Sequence, residues 1–323
     1  MLVMKKLIIG LQGGSGFLGG FLANLLVKKG HSVRIATREE NNSRKLWVLP
    51  NTKIGKVDMN RQDQIDRFFE GCDCVVNLVG ILNERKDNGK GFAYVHVELT
   101  NRLIQACKTN GISHLLQVSS LGANPSSESF YQSSKGHAEK LLKSEESPKL
   151  RTSIVQPSVI FGPNDKFTNR FAKLLSITRG VLPLACPKSR LQPVYVGDVA
   201  QAIMNIIEND SLAGQVYELG GPEVQSLKEI VEYIGEVSGI NARIIPLNSL
   251  LSAIQAHTLE FFPGKPFSKD NLRALQKDSV CKRVDSLDTL GIRPTRMSEI
   301  LPSYLGEKNI KGRYSEYRNL AGR

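Results

Sequence analysis

The stretch GGSGFLG at residues 13–19 decides the fold of this chain, because its glycines are spaced G-x-x-G-x-x-G. Glycine lets a backbone turn sharply and approach a phosphate without a Cβ clash. The first amides of a following helix then supply donors at the positive end of the helix dipole. Such a turn can be merely structural, but this one has the preceding strand and following helix that a dinucleotide site requires. We therefore expect dinucleotide binding by Gly13, Ser15, Gly16, Phe17, Leu18 and Gly19.

Outward from this loop, short β-rich runs alternate with segments of helical periodicity. The expected strands are 7–11, 32–37, 54–57, 74–79, 115–118 and 152–155. The expected helices are 17–29, 63–69, 93–109, 131–143 and, with Ser226 as its N-cap, 227–237. Parallel strands need such crossover helices, and right-handed connections place the helices on both faces of the sheet. The pattern predicts an α/β fold with a Rossmann-type doubly wound parallel sheet.

The alternation weakens after about residue 160, where glycine and proline punctuate the chain. Such a change is typical of segments that leave the sheet to build a substrate lobe. We expect a dinucleotide-binding core at residues 1–160 and a smaller C-terminal substrate lobe at 161–323, from which about 191–220 return to the core. Little apolar periodicity remains from about Gly306, so a basic C-terminal arm is expected there.

The composition is that of a folded globular protein, with 41% hydrophobic and 23% charged residues. No apolar run approaches the ~20 residues of a membrane-spanning helix. The apolar stretch at the amino end is too short for a signal peptide, so we expect a cytoplasmic protein.

The formal net charge is +12, and residues 261–323 contain 13 basic and 7 acidic side chains. These basic residues form no block and accompany no nucleic-acid-binding motif, so no nucleic-acid partner is expected. We prefer a solvated basic surface, with docking on an anionic membrane or an acidic protein as the alternative.

The five cysteines form no regularly spaced framework. Cys72 and Cys74 lie one residue apart, which is the wrong spacing for the paired ligands of a zinc ribbon. Reduced, buried thiols and no metal are therefore expected.

The residues that end the second strand select the nucleotide, because a carboxylate there bonds the ribose 2′-hydroxyl and repels a 2′-phosphate. This chain has Thr37-Arg38 at that position. Arginine offers a bidentate, charge-assisted partner to a phosphate, so NADP(H) is favoured over NAD(H). NAD(H) stays the alternative, because Glu39 or Glu40 could turn inward and leave Arg38 solvated.

Further cofactor candidates follow the third and fourth strands, at the sheet edge where the ligands of open α/β sheets gather. Asp58 could meet the adenine edge, or it could cap the following helix. Asn77 and Gly80 lie at the end of the fourth strand, within VVNLVG.

Residues with catalytic chemistry follow the fifth strand, in Ser119-Ser120 and in Tyr131-Gln-Ser-Ser-Lys135. Tyrosine and lysine four residues apart share a helix face, so the ammonium can favour the phenolate. A serine hydroxyl could hold the substrate oxygen while Tyr131 moves a proton. Y-x-x-x-K also occurs by chance on surface helices, but here it follows the serine pair and the glycine loop.

GGSGFLG, VSS and YQSSK in this order resemble the short-chain dehydrogenase/reductase superfamily, in the extended or atypical branch with NAD-dependent epimerases and dehydratases. The resemblance covers about residues 5–235. In more detail, the chain resembles the nucleotide-binding accessory subunits of respiratory complex I and their bacterial relatives. The segments that carry this resemblance are NLVGIL (77–82), QPSVIFGPNDKFTNRFA (156–172), LQPVYVGDVAQAI (191–203) and YELGGPE (217–223).

The resemblance implies roles for individual residues. The glycines would hold pyrophosphate, and Arg38 the adenosine 2′-phosphate. The implied catalytic triad is Ser120, Tyr131 and Lys135, with Lys135 also bonding the nicotinamide ribose. Ser119 and Tyr131 are expected among the cofactor-binding residues as well. The residues implied to pass near the nicotinamide carboxamide are Pro157, Ser158 and Val159.

The chain also departs from the family pattern. Leu11-Gln12 stands where relatives usually have smaller or hydroxylated residues. His96 replaces an asparagine that many extended members have, and Gln156 replaces a frequent arginine. Asp198 is expected to cap a helix beginning at Val199 rather than to react.

Two functions of different classes follow. The intact triad predicts an NADP(H)-dependent oxidoreductase or isomerase acting on a small-molecule substrate with a hydroxyl or carbonyl group. The resemblance predicts instead a non-catalytic subunit or assembly factor that holds NADP(H) and docks on a quinone-linked respiratory complex or a membrane surface, peripheral to the inner membrane. A redox-sensing regulator is a more distant alternative.

Overall fold

The fold is taken from a computed structural model, which describes residues 6–261, 265–282 and 286–306. The chain divides into two compact units. The first unit comprises the chain up to Pro157 together with Gly197–Leu219 and Lys282–Arg293. The second comprises Ser158–Val196, Gly220–Cys281 and the residues from Pro294 onward. The predicted basic arm lies, from residue 307, outside the described residues.

Thirteen strands occur along the described residues. In chain order they are β1 (Ile8–Gln12), β2 (Ser32–Thr37), β3 (Thr52–Lys56), β4 (Cys74–Asn77), β5 (His114–Val118), β6 (Arg151–Pro157), β7 (Ile160–Phe161), β8 (Val181–Leu184), β9 (Arg190–Leu191), β10 (Val194–Tyr195), β11 (Val216–Leu219), β12 (Gln225–Ser226) and β13 (Arg243–Pro246).

The described residues also form twelve α-helices. They are α1 (Phe17–Lys28), α2 (Gln62–Phe69), α3 (Lys90–Ala93), α4 (Leu99–Asn110), α5 (Phe130–Ser144), α6 (Thr168–Ile177), α7 (Val196–Glu208), α8 (Leu227–Val237), α9 (Ser249–Leu259), α10 (Lys269–Leu275), α11 (Ser286–Thr289) and α12 (Met297–Leu305). Short 3₁₀ segments occupy Glu40–Leu46 and Asp210–Leu212, and a π-helical turn occupies Tyr94–Glu98.

A seven-stranded parallel sheet forms the centre of the first unit, in the order β11-β6-β5-β4-β1-β2-β3. The chain runs outward from β1 to β3 and then continues with β4 on the other side of β1. The strand order therefore reverses between β1 and β4, where open α/β sheets bind their ligands beyond the carboxyl ends of the strands. The predicted Rossmann-type sheet is confirmed, and all six predicted strands lie within two residues of the observed bounds.

An apolar layer between helices and sheet holds this edge in place. Phe69 of α2, Leu103 of α4 and Leu115 of β5 are completely buried in one cluster. Each side chain of this size contributes about 1.5–3 kcal/mol on burial, so the cluster is a rigid base for the loops above it.

The second unit has its own core and three short strand pairs. β7 pairs with β10 and β8 with β13, both parallel, while β9 pairs antiparallel with β12. Leu175 of α6, Ile230 of α8 and Leu301 of α12 are fully buried together. The predicted helix at 227–237 is confirmed, with Ser226 and Glu229 forming a capping box.

The structure differs from the expectations in three local details. The predicted helix 93–109 is present, but the helical path begins earlier, at Lys90, and contains a π-helical turn. Helix α7 starts directly after β10, so Asp198 lies within its first turn and does not cap a helix at Val199. Asp58 does not cap α2, since the extended Arg61 is the N-cap, so of the two roles left open for Asp58 the place at the adenine edge stays a prediction.

Candidate nucleotide and active site

The glycine loop between β1 and α1 fits only glycine at two positions. Gly13 has φ +80°, and a Cβ there would lie 2.9 Å from Cγ2 of Val79. Gly16 N–H donates to the Gly13 carbonyl at 3.0 Å, which closes the turn before α1 begins. A Cβ at Gly19 would lie 2.5 Å from Cα of Gly14, so the helix and loop touch through their backbones. The loop is therefore a tight cradle at a helix N-terminus, which suits a pyrophosphate.

The end of β2 presents Arg38 and turns the neighbouring carboxylates elsewhere. Glu39 pairs with Lys56 Nζ at 3.6 Å, and Glu40 accepts the Lys56 backbone N–H at 3.1 Å. Ser15 Oγ lies 3.3 Å from Thr37 Oγ1, so the glycine loop is tied to this strand end. Both glutamates therefore face β3, and Arg38 is exposed beside them.

The residues predicted after β3 and β4 differ in their surroundings. Asp58 is exposed and accepts bonds from the backbone and side chain of Asn60, which lower the pKa of its carboxyl. The buried Asn77 side chain donates to Gln117 Oε1 at 2.8 Å and accepts from Val79 N–H at 3.1 Å. Asn77 therefore shapes the loop that carries Gly80 from within the protein.

Lys135 of α5 carries an amine into the interior, with only 3% of the residue exposed. Its Nζ donates to the Val118 carbonyl at the end of β5, at 2.9 Å. Burial lowers the pKa of Lys135 to about 8, and the carboxylate of Glu139 acts in the opposite direction. A Cβ at Gly80 would lie 3.4 Å from Nζ, so the loop after β4 passes directly over the amine.

Tyr131 precedes Lys135 by one helical turn and packs edge-on against two rings. Its ring centroid lies 5.5 Å from that of His96 and 5.9 Å from that of Phe92. Both contacts come from the segment containing the π-helical turn, where an extra residue per turn changes which side chains face α5.

His96 links the loop after β4 to the helix that carries Tyr131. Its Nε2 accepts the Ile81 N–H at 3.3 Å, so Nδ1 carries the proton and donates to Ser134 Oγ at 2.8 Å. Burial, reinforced by Lys135, lowers the pKa of His96 to about 2. The imidazole is therefore a neutral crosslink and does not serve as an acid at physiological pH.

Two serine hydroxyls at the end of β5 are buried without a hydrogen-bond partner among the residues that the structure describes. They belong to Ser119 and Ser120. The amide of Gln12, at the end of β1, is in the same state across the described part of the chain. Since buried polar groups are nearly always paired, these orphaned atoms indicate where a bound molecule or water supplies the missing partners.

The carboxyl edge of the sheet brings most of the predicted residues together. Pro157 ends β6 beside β5, and its carbonyl accepts the Leu121 N–H at 3.0 Å. Ser158 and Val159 fall in the second unit, where Ser158 Oγ donates to the Ser279 carbonyl and the Val159 carbonyl accepts from Val194.

Sequence reasoning assigned no role to His96 or Glu139. His96 stood out only as a departure from the family pattern. Glu139 lies one further turn along α5 from Lys135, and this four-residue spacing could have identified it as the countercharge.

No group of three or more His, Cys, Asp or Glu side chains that could hold a metal lies within the described ranges. Cys74 and Cys107 are buried, and burial raises the pKa of both thiols. Such thiols are inert, because the reactive form is the thiolate.

The sheet order, the glycine cradle and the lysine beneath the β4 loop define a dinucleotide-binding protein of the short-chain dehydrogenase/reductase type. The chain belongs to the NAD dependent epimerase/dehydratase family, whose model matches residues 9–220.

Curated relatives of two kinds are similar to this chain. The mitochondrial NADH dehydrogenase (ubiquinone) 1 alpha subcomplex subunit 9 of Dictyostelium discoideum is 30% identical, covering 80% of this chain and 73% of the relative. The Mus musculus protein of the same name is 27% identical, covering 96% and 81%. A 4-hydroxy-2-methyl-3-oxo-4-farnesyl-3,4-dihydroquinoline-1-oxide ketoreductase of Stigmatella aurantiaca is 23% identical, covering 75% and 77%.

Solved structures share the fold. A UDP-glucose 4-epimerase of Thermotoga maritima with UDP-glucose superposes with a TM-score of 0.73 at 16% identity, covering 94% of this chain and 99% of the other. The Thermus thermophilus UDP-glucose 4-epimerase in complex with NAD gives 0.70 at 18% identity, covering 93% and 98%.

Within the described residues, no helix combines the length and apolar character needed to cross a bilayer.

Proposed function

We propose that this protein is an NADP(H)-dependent oxidoreductase or isomerase that acts on a small hydroxyl or carbonyl compound through Ser120, Tyr131 and Lys135. The observation that carries the proposal is the buried Lys135 amine, held by the Val118 carbonyl one turn from Tyr131. Burying an ammonium costs free energy unless other groups offset the lost hydration. Amines whose pKa is shifted by burial are concentrated at functional sites.

The nucleotide fits the residues that surround this edge. The glycine cradle would hold the pyrophosphate, and Arg38 would bind the 2′-phosphate of NADP(H), because Glu39 and Glu40 are engaged by Lys56. Asp58 would lie at the adenine edge, while Asn77 and Gly80 would shape the wall near the ribose. When bound, the nicotinamide supplies or accepts a hydride.

The chain's own residues would handle the proton. The Lys135 ammonium favours the phenolate of Tyr131, which brings the phenol's proton transfer nearer to neutral pH. The Ser120 hydroxyl, which has no hydrogen-bond partner among the described residues, would hold the substrate oxygen, and Ser119 beside it would contact the cofactor. Tyr131 then donates a proton when a carbonyl is reduced and removes one when a hydroxyl is oxidised.

The second unit is proposed to be the substrate lobe. Pro157 is the last residue of the sheet before the chain enters this unit, and Ser158 and Val159 follow it directly. Their proposed place beside the nicotinamide carboxamide rests on this chain position and on the family pattern.

The test is Tyr131→Phe, with Tyr233→Phe as a matched control. Purified protein with NADPH is mixed with fractions of a metabolite extract that include carbonyl compounds and quinones, and nicotinamide absorbance is followed. We expect Tyr131→Phe to lower turnover by about 10²–10⁴-fold while NADPH affinity is kept, since only proton transfer is removed. Unchanged turnover in Tyr131→Phe overturns the assignment.

A second candidate function is a subunit that holds NADP(H) without turning it over and docks on a respiratory complex, peripheral to the inner membrane. It rests on the similarity to proteins named as NADH dehydrogenase subunits. It predicts co-migration with the complex in native gels of membranes, with NADPH retained and not oxidised. A wholly free pool of the protein would contradict it.

A further inference from the structure

Helix α9 in the second unit is inverted relative to an ordinary surface helix. Its buried positions are the small residues Ser252 and Ala256, one turn apart. Leu259 is half-buried, but the other large apolar side chains of the helix are exposed, as is Phe261 just beyond its end. This α9 stripe consists of four exposed residues, with exposed fractions of 68%, 46%, 52% and 78% for Leu250, Leu251, Ile254 and Phe261.

The spacing of the α9 stripe shows that it is one continuous surface. Leu250, Ile254 and Phe261 stand at i, i+4 and i+11, which lie on the same side of a helix of 3.6 residues per turn. Phe261 N–H donates to the Thr258 carbonyl, so the helical path continues to the end of the stripe. At 1.5 Å per residue the row is roughly 16 Å long.

The α9 stripe lies in an uncharged segment, and charged residues occur only near its two ends. Residues 244–259 contain no Asp, Glu, Lys or Arg, in a chain of which 23% is charged. Charge returns at the end of the helix, where Lys265 and Lys269 both lie 3.6 Å from carboxylate oxygens of Glu260. Near the start of the helix, the exposed Lys188 lines the same groove as Asn248, the N-cap of α9.

We infer that the α9 stripe is a docking face for an anionic lipid surface, on which the helix lies flat. Apolar side chains on one row would enter the boundary between headgroups and acyl chains. Lys188 near one end, and the two lysines that share the single carboxylate of Glu260 at the other, would favour anionic headgroups. The net charge of +12 favours the same partner. The inference is independent of the triad, and it specifies the surface through which the second candidate function would bring the protein to a membrane.

The size of the stripe favours a lipid surface over a protein partner. Four partly exposed side chains offer roughly 300–450 Å², about half of the ~800 Å² that one partner contributes to a stable protein interface. A bilayer needs no matching pocket, and a short apolar row assisted by cations is sufficient for reversible binding.

The first experiment measures sedimentation of the full chain with vesicles. Vesicles of phosphatidylcholine alone are compared with vesicles that also contain phosphatidylglycerol. The test variant is Leu250→Glu/Ile254→Glu, and the matched control is Val48→Glu/Ile177→Glu, which adds the same charge at other exposed apolar residues. NADPH affinity of every variant is measured, because an unchanged value shows that folding and the nucleotide site are intact.

We expect the unaltered protein and the control to bind the anionic vesicles, with the α9 variant weakened about tenfold or more. Equal binding by the α9 variant and the control overturns the inference, as does equal binding of the unaltered protein to both vesicle types. A dimer seen by light scattering that becomes a monomer in the α9 variant assigns the stripe to a second copy and also overturns it.

A second measurement reports the depth of the stripe directly. The chain has one tryptophan, Trp47, so Phe261→Trp in a Trp47→Phe background places a single fluorophore on the stripe. Its emission should shift to the blue on anionic vesicles, while Trp47 in the unaltered protein should not respond. No shift at residue 261 with bound protein contradicts the inference.

Discussion

Helix α5 in the first unit and helix α9 in the second depart from ordinary surface helices in opposite ways. Helix α5 buries the charged residues Lys135 and Glu139, whereas α9 exposes leucine, isoleucine and phenylalanine. Buried charge and exposed hydrocarbon are the two informative exceptions to the usual distribution of residues. Both carry a free-energy cost in the isolated chain, so each points to a molecule that binds there.

The difference between the two helices lies in how much of this cost the protein itself offsets. On α5, Lys135 has the Val118 carbonyl and Glu139 has the Gln156 amide at 2.7 Å. On α9, the residues that the structure describes leave Leu250 and Ile254 with exposed fractions of 68% and 52%. The α5 region is therefore an organised site that needs a ligand only at its rim, while the α9 stripe depends on a partner for its whole area.

The largest expected effect is a loss of turnover, which should follow a change in α5 but not a change in the α9 stripe. Lys135→Met should lower turnover about 10²–10⁴-fold, because the phenol loses the positive charge that favours its phenolate. Lys140→Met, exposed on the same helix, should stay near the unaltered rate. Steady-state kinetics with NADPH measure both. If the α9 variant Leu250→Glu/Ile254→Glu loses as much turnover as Lys135→Met, the proposed separation of roles fails.

Two phenylalanines test the difference in packing. Phe92 is 0% exposed and packs on His96 and Tyr131, so Phe92→Ala should cost about 3–5 kcal/mol of unfolding free energy. Phe261, on the α9 stripe, is 78% exposed, and Phe261→Ala should change it by less than about 0.5 kcal/mol. Urea unfolding measures both. A similar loss from the two changes would show that α9 packs within the chain.

The charge balance around Lys135 predicts a pH dependence. The pKa of Lys135 is about 8, so the ammonium and the activity that depends on it are present below that pH and lost as pH rises through it. Burial lowers this pKa and the carboxylate of Glu139 raises it. His96 is neutral and adds no negative charge. Glu139→Gln should therefore move the alkaline limb of kcat/KM to lower pH, by about one pKa unit or less.

The control for this change is Glu145→Gln. Glu145 follows the last residue of α5, and its carboxylate pairs with Lys108 of α4. Its pH profile should match that of the unaltered protein. An alkaline limb that stays in place in Glu139→Gln would show that the group titrating near pH 8 is not Lys135.

The smallest expected effect concerns the stability of α9. Leu250→Gln/Ile254→Gln should change the unfolding free energy by no more than about 0.5 kcal/mol per site, because neither side chain is buried. The solubility limit should rise, since an exposed apolar row promotes association. Thermal unfolding measures the change in stability, and concentration-dependent light scattering measures the change in association. A loss of several kcal/mol would mean that the stripe is part of a core.

Much of the first unit could be predicted from local sequence. The strand runs, the glycine spacing and Tyr131 with Lys135 are local signals, because each depends on backbone freedom or on spacing within one element. The π-helical turn before α4 could not be predicted, since the apolar periodicity of residues 93–109 continues through it. The expected cap at Asp198 was wrong because α7 begins at Val196, before the predicted start at Val199.

The sequence by itself determined the class of fold, the nucleotide loop and the candidate Ser120, Tyr131 and Lys135, because these follow from glycine geometry, periodicity and side-chain chemistry. Only the tertiary structure decided that Glu39 and Glu40 turn to Lys56, that His96 joins Ile81 to Ser134, and that α9 faces outward. A helical pattern specifies which residues share a face. Whether that face is buried depends on what the rest of the chain places against it, and sequence spacing does not contain that information.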